Sequence, residues 1–295
     1  MSGTTIIRSR ANPLFKRLRM LADSAQRQRR EGLAILEGAH LAQAYLMSRP
    51  TLSEVECCVL AENNADFSTA GQGDAHGALP HGEMRAEVGV LVARIQQINP
   101  RLITVLDNAL FDQISPVSNG GIGLMMLVKV PATQPPARVE EDCIVLDGVQ
   151  DAGNAGSMLR SAAAAGIKRA FCMPSTANAW SAKVLRAAMG AHFEMEIVEH
   201  MDAAELIARL AVPIAITDSH GTASIHQADL RGPLAWVFGN EGAGVSAPWR
   251  AAATHRLTIP QPGRIESLNV AAATAVCVFE QCRQRLTDVS RLSAS

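Results

Sequence analysis

Apolar and polar positions along the chain follow two alternating registers. Leu14, Leu18 and Leu21 recur at helical spacing behind Asn12, a capping residue, and Pro13, a first-turn residue, and Gly32 can end that helix. Short apolar runs at 33–36 and 55–60 flank a helical stretch over 39–47, giving an α/β order. Residues 62–83 interrupt it with Asn, Gly, Asp and His and almost no periodicity, which predicts a mobile loop. Strand-like runs return at 88–92, 102–106 and 123–130, with helical stretches between them. A proline-rich, mixed-charge segment then marks a linker over 131–141, between a first domain at 1–130 and a second at 142–285, with 286–295 as a tail. The second domain repeats apolar runs at 144–146, 170–173, 194–198, 214–217, 235–238 and 257–259, mostly separated by helical stretches. That alternation predicts a largely parallel sheet with helices on both faces. The helix predicted over 271–280 is nearly all apolar or small, which predicts burial under the sheet or against another subunit.

Composition changes this picture in one place. The net charge of −1 gives no reason to expect a nucleic-acid partner, yet residues 1–30 carry eight Lys and Arg against Asp23 alone. These are Arg8, Arg10, Lys16, Arg17, Arg19, Arg27, Arg29 and Arg30, a pattern equally suited to a solvated helix face and to a phosphate-contacting one. The six cysteines lack C-x-x-C spacing and most sit in apolar runs, which predicts small core residues in a reducing cytoplasm. No run approaches the roughly 18 apolar residues of a membrane span, so a soluble intracellular protein with no membrane partner is expected. The eight histidines fall in no metal-binding pattern; they are read as surface or loop residues, and no metal is predicted.

Three segments of the second domain place an apolar run before a polar turn, which is where open α/β sheets put their ligand sites. In DGVQDAGNAGSMLRSAAAAG (147–166), Gly153 and Asn154 open a helix, Gly166 ends it and Arg160 lies about a turn and a half inside. That geometry suits an anion at free backbone N–H groups with an arginine fork beside it, or an ordinary capped helix with a surface arginine. In WVFGNEGAGVS (236–246), Gly242 to Ala247 formally satisfies the dinucleotide pattern G-x-G-x-x-A, with Glu266 about twenty residues on. Pro248 is expected to interrupt the helix such a site needs, and the motif falls near the end of the sheet instead of opening it. In IPQPGRIESLNVAAATAVCVFE (259–280), Pro260 and Pro262 stiffen a loop and Ser267 or Asn269 can cap the following helix.

Together the segments resemble the three motifs of the SpoU (TrmH-like) RNA ribose 2′-O-methyltransferases of the SPOUT superfamily. The match runs through Asp151, Gly153, Asn154, Gly156 and Arg160, then Phe238 to Gly242, then Ile259-Pro260 with Glu266 to Val270, in family order. The resemblance implies an α/β fold: a C-terminal parallel-sheet domain with a deep trefoil knot, and a smaller N-terminal α/β domain similar to ribosomal RNA-binding proteins. It implies S-adenosylmethionine as cofactor, with Gly239, Ile259 and Leu268 as its backbone contacts, and a homodimer with each site near the partner subunit. It makes Arg160 the central catalytic residue, clamping the target phosphate and assisting deprotonation of the hydroxyl. Asn154, Ser267 and Asn269 would orient Arg160, the ribose or the methionine moiety, and Glu241 would fix Arg160 or the knot loop. RNA would be gathered by Lys16, Arg17, Arg19, Arg27, Arg29 and Arg30. Large-subunit rRNA is the expected substrate, with tRNA and a catalytically silent RNA-binding protein as alternatives.

Overall fold

The computed structural model describes residues 6–64, 81–115, 123–218, 221, 223–264 and 267–292. Most of the predicted 62–83 loop, and Glu266, lie outside them. The chain divides into two compact units, Met1–Pro131 with Trp180–Arg186, and Ala132–Ala179 with Ala187–Ser295.

The first unit runs β1 (Ile6–Ile7), α1 (Pro13–Ala22), α2 (Ala25–Glu31), β2 (Leu33–Glu37), α3 (Ala39–Ser48), β3 (Val55–Ala61), α4 (His81–Ile98), β4 (Ile103–Leu106), α5 (Asn108–Ile114) and β5 (Leu124–Lys129). Its sheet has the order β1-β4-β3-β5-β2, with β5 antiparallel to both its neighbours. Asn12 caps α1 through Oδ1, which accepts from the N–H groups of Leu14 and Phe15. The single helix expected up to Gly32 is two helices: Ser24 starts the second, its Oγ accepting from Arg27 N, and Gly32 at φ +65° ends it. The strand expected at 88–92 is part of α4. Val88, Leu91, Val92 and Ile95 are buried at i, i+3, i+4 and i+7 while Val90 is 70% exposed, which is helical periodicity. Phe15, Leu18 and Leu21 pack with Ile35, Val59 and Phe111 in this unit's core.

The chain continues through β6 (Cys143–Asp147), α6 (Ala152–Ala164), β7 (Arg169–Cys172), α7 (Ala182–Ala188), β8 (Glu196–Glu199), α8 (Ala203–Arg209), β9 (Ile214–Thr217), β10 (Ala223–Ser224), β11 (Ala235–Gly239), α9 (Ala247–Ala252), β12 (His255–Thr258) and α10 (Val270–Leu292). The second unit's sheet is parallel throughout, in the order β10-β12-β9-β11-β6-β7-β8. All five residues of β11 are buried, as a central strand covered on both faces requires. The proline-rich segment ahead of β6 is fastened to this unit rather than loose. Val139 is fully buried and exchanges backbone hydrogen bonds with Arg209 and Ala211, and Thr133 Oγ1 donates to Ile197 O at 2.6 Å.

Helix α10 runs on to Leu292, so residues 286–292 are helical rather than a tail. It is not buried all round: Ala273, Thr274, Cys277, Val278 and Gln281 face inward, while Val276, Phe279 and Leu286 are exposed. Its polar inward groups anchor it. Trp236 Nε1 donates to Gln281 Oε1 at 2.8 Å, and Gln281 Nε2 donates to Asp142 Oδ1 at 3.0 Å.

Cys57, Cys58, Cys143, Cys172 and Cys277 are buried thiols, and burial pushes Cys143 up to about 12. His192, expected at the surface, is instead 2% exposed, its Nε2 2.7 Å from Ala179 O. Burial lowers it to about 4, so the ring stays neutral. Among the described residues, no helix is long and apolar enough to cross a membrane.

Candidate active site

Because β6, β9, β11 and β12 are parallel, the segments that follow them leave the sheet at one edge. After β6 the chain turns through Gly148 at φ +74°, and Asp151 caps α6, its Oδ1 accepting from Asn154 N at 2.8 Å. After β11 the loop closes on itself: Asn240 N donates to Gly244 O at 3.1 Å and Gly244 N to Asn240 O at 2.8 Å. The Asn240 side chain completes the turn. Its Oδ1 accepts from Gly242 N and Ala243 N at 2.9 and 3.0 Å, and its Nδ2 donates to Gly148 O at 3.0 Å. Ser246 N donates to Asp147 Oδ2 at 2.6 Å, tying the far end of the loop back to β6. A Cβ on Gly239 would lie 2.1 Å from the backbone carbon of Gly244 and 2.2 Å from Val245 N, so only glycine fits.

Glu241 reaches across to α6. Its Oε1 accepts from Asn154 Nδ2 at 3.0 Å and from Asp151 N at 3.4 Å, and its Oε2 from Gln150 N at 3.4 Å. Burial works to raise this carboxyl, but the hydrogen bonds from Asn154 and from backbone N–H groups outweigh it and hold Glu241 below the usual range. Asn154 Oδ1 in turn accepts from Asn269 Nδ2 at 2.9 Å. Asn269 Oδ1 caps α10, accepting from Ala271 N and Ala272 N at 2.9 and 3.3 Å. Glu241, Asn154 and Asn269 thus form one chain of hydrogen bonds joining all three polar segments.

Beside this chain lies a cavity of about 690 Å³, within the ordinary size range of small-molecule sites. Gly239, Glu241, Ile259, Ser267, Leu268 and Asn269 line it. Thr217, Asp218, Asn240 and Val245, which sequence reasoning did not single out, line it too. Asn240 stood inside a motif without an assigned task, and Asp218, paired to Arg256 Nη2 at 2.5 Å, carries no local signal at all. Asp218 and Glu241 are the ionisable groups among the described lining residues; no Lys, Arg or His is among them.

Arg160 does not line this cavity. It is exposed on α6, and its side chain makes no hydrogen bond or ion pair with a described residue. Glu241, expected to fix Arg160 or the knot loop, and Asn154, expected to orient Arg160, the ribose or the methionine moiety, bond to each other, and Glu241 also holds the start of α6. Among the expected RNA-binding residues, Arg17 pairs with Glu56 at 2.8 Å and with Glu31 at 3.4 Å, Arg19 with Asp23 and Arg27 with Glu31. Lys16, Arg29 and Arg30 are exposed, with no side-chain partner among the described residues.

Residues 142–279 match the SpoU rRNA Methylase family. The domain over residues 142–279 is a SpoU-family domain. A Synechocystis protein named an uncharacterized tRNA/rRNA methyltransferase is 28% identical over 287 residues, covering 96% of both chains. The 23S rRNA (guanosine-2′-O-)-methyltransferase RlmB of Bordetella pertussis is 37% identical over 145 residues, which is 48% of this chain and 59% of that protein. Among solved structures, an RNA 2′-O ribose methyltransferase superposes with a TM-score of 0.71 at 26% identity, covering 96% of this chain and all of that one. An AdoMet-bound rRNA methyltransferase from Sinorhizobium meliloti superposes at 0.75 with 22% identity, covering 95% of this chain and 97% of that one, and shares the fold.

Family membership sets aside the dinucleotide reading of Gly242 to Ala247. In this SpoU domain the glycines serve the self-closing loop: Gly244 exchanges backbone hydrogen bonds with Asn240, and Gly242 N donates to Asn240 Oδ1. Pro248 does not break the following helix; it sits in the first turn of α9, which is simply six residues long.

Proposed function

We propose that the protein transfers a methyl group from S-adenosylmethionine to a ribose 2′-hydroxyl of RNA, with large-subunit rRNA as substrate. The observation that carries the reading is the cavity bounded by the hydrogen-bonded chain of Glu241, Asn154 and Asn269. Its described lining has no Lys, Arg or His; Asp218 is paired with Arg256, and Glu241 is left as the lining carboxylate without a cationic partner among the described residues, an environment that favours a positive sulfonium over a phosphate. When bound, the cofactor supplies an electrophilic methyl whose departure leaves a neutral thioether.

The protein's own contribution is placement. Gly239, Ile259 and Leu268 present backbone groups to the cofactor, and Ser267 and Asn269 bound the cavity near the reacting atoms. Holding hydroxyl and methyl in line supplies several kcal/mol of the barrier, on the order of what orientation gives in other transfers. Arg160, without a partner among the described residues and outside the cavity lining, clamps the phosphate of the target nucleotide, and its charge favours loss of the hydroxyl proton to solvent water. As a permanent cation it is better suited to the first task than to the second. Glu241 and Asn154 act as positioning residues that fix the start of α6.

The second unit forms a trefoil knot in this reading, supported by the tight return of the 240–246 loop and by the central insertion of β11. The reading includes a homodimer, supported by the outward stripe of Val276, Phe279 and Leu286 on α10, 36%, 47% and 71% exposed. The first unit gathers RNA through Lys16, Arg29 and Arg30.

Transfer of radiolabelled methyl to unmodified large-subunit rRNA and tRNA transcripts tests this directly. Alkali-resistant label on rRNA, lost in Arg160→Ala, is the expected result. Label on tRNA alone would overturn the substrate class, and failure to bind the cofactor would leave a silent RNA-binding protein.

A further inference from the structure

Sorting the cations of the second unit by their partners separates three residues from the rest. Every other described Lys or Arg side chain there lies within ion-pair distance of a carboxylate, from Arg138 with Glu140 to Arg285 with Asp142. Arg160, Arg250 and Arg264 make no such pair and no side-chain hydrogen bond among the described residues, and all three are exposed.

Their places in the chain are not scattered. Arg264 stands three residues from Gln261 and three from Ser267, both in the cavity wall, so its backbone lies within about 10 Å of each. Arg250 N donates to Ser246 O at 3.0 Å, which puts Arg250 one helical turn beyond the loop whose Val245 also lines the cavity. Arg160 belongs to the helix that Glu241 and Asn154 fix to the same edge. The unneutralised charge of this unit therefore collects on the segments around a cavity whose described lining is itself acidic or neutral.

An arginine already neutralised by a carboxylate gains little from a phosphate, whereas an unpaired one gains its full contact and releases a counterion. We infer that Arg250 and Arg264 are phosphate-contacting residues that hold RNA on either side of the nucleotide being modified. The inference rests on the RNA methyltransferase reading and adds two substrate contacts beyond Arg160 and the first unit.

The experiment is fluorescence-anisotropy binding of a roughly 20-nucleotide labelled single-stranded RNA over a range of salt. Arg250→Gln and Arg264→Gln are each expected to lower the slope of log K against log salt by about 0.7, and the double variant by about 1.4. Arg209→Gln, which removes an already paired cation, should leave the slope unchanged, and Arg250→Lys and Arg264→Lys should retain it. Unchanged slopes in both glutamine variants, or equal loss in the lysine variants, overturn the assignment. Calorimetry of the wild type with S-adenosylmethionine, run alongside, separates the two levels. Cofactor binding with unchanged slopes refutes these contacts alone, and absent cofactor binding refutes the activity on which they rest.

Discussion

The two units handle their polar groups in opposite ways. At the edge of the second unit's sheet, Glu241, Asn154 and Asn269 bond to one another and to helix-terminal N–H groups, each with a partner of fixed geometry. On α1 and α2 of the first unit the charges either pair with surface acids, as Arg17 does with Glu31 and Glu56, or have no partner among the described residues. Directed amide and carboxylate bonds build a site before any ligand arrives, so removing one member disturbs the others. Exposed charges are interchangeable, and removing one changes little but the total.

The largest effect is expected where the second unit is tightest. Gly239→Ala forces a methyl against the backbone of Gly244 and Val245, and should cost about 3 kcal/mol in urea unfolding together with cofactor binding in calorimetry. A wild-type midpoint would show that the loop yields and that the contrast is overstated. Next come Asn154→Ala and Asn269→Ala, each expected to cost about 1–2 kcal/mol through lost hydrogen bonds and, for Asn269, a lost helix cap. The double variant should fall short of their sum by about 0.5–1 kcal/mol, because the two side chains share a bond. Simple additivity would mean that the chain is not acting as a unit. The smallest effects belong to the first unit. Arg29→Gln with Arg30→Gln should reduce the RNA salt slope by about 1.4 with no change in unfolding midpoint. Arg17→Gln should leave that slope nearly intact and cost at most about 1 kcal/mol of stability. Equal slope losses in both tests would erase the distinction between paired and unpaired cations.

Much of the second unit was legible from its residues because its signals are local. Buried parallel strands are continuous apolar runs, and Gly166 and Asn269 mark helix ends by chemistry that acts within a turn, whereas the cap of α6 is Asp151, ahead of the expected start at Gly153 and Asn154. What escaped depends on distance along the chain. Asp218 enters the cavity from the end of β9, and Arg160's separation from Glu241 is set by how α6 meets the loop after β11. Neither leaves a trace in spacing. In the first unit, the apolar run at 88–92 fitted a strand as well as a helix, and only Ile95 and the exposed Val90 decide for the helix. The two-residue strands β1 and β10 are too short to show a period.

The position of β11 also orders the assembly of the second unit during synthesis. β6, β7 and β8 are neighbours in the sheet and follow one another along the chain, so they can pair as soon as they are made. β9 cannot join them, because its place beside β6 is filled by a strand that begins at Ala235. β9 must therefore wait, unpaired, for the strand that bridges it to β6. A nascent chain halted before residue 235 would carry three docked strands and one exposed apolar segment at Ile214–Thr217, a natural target for chaperones.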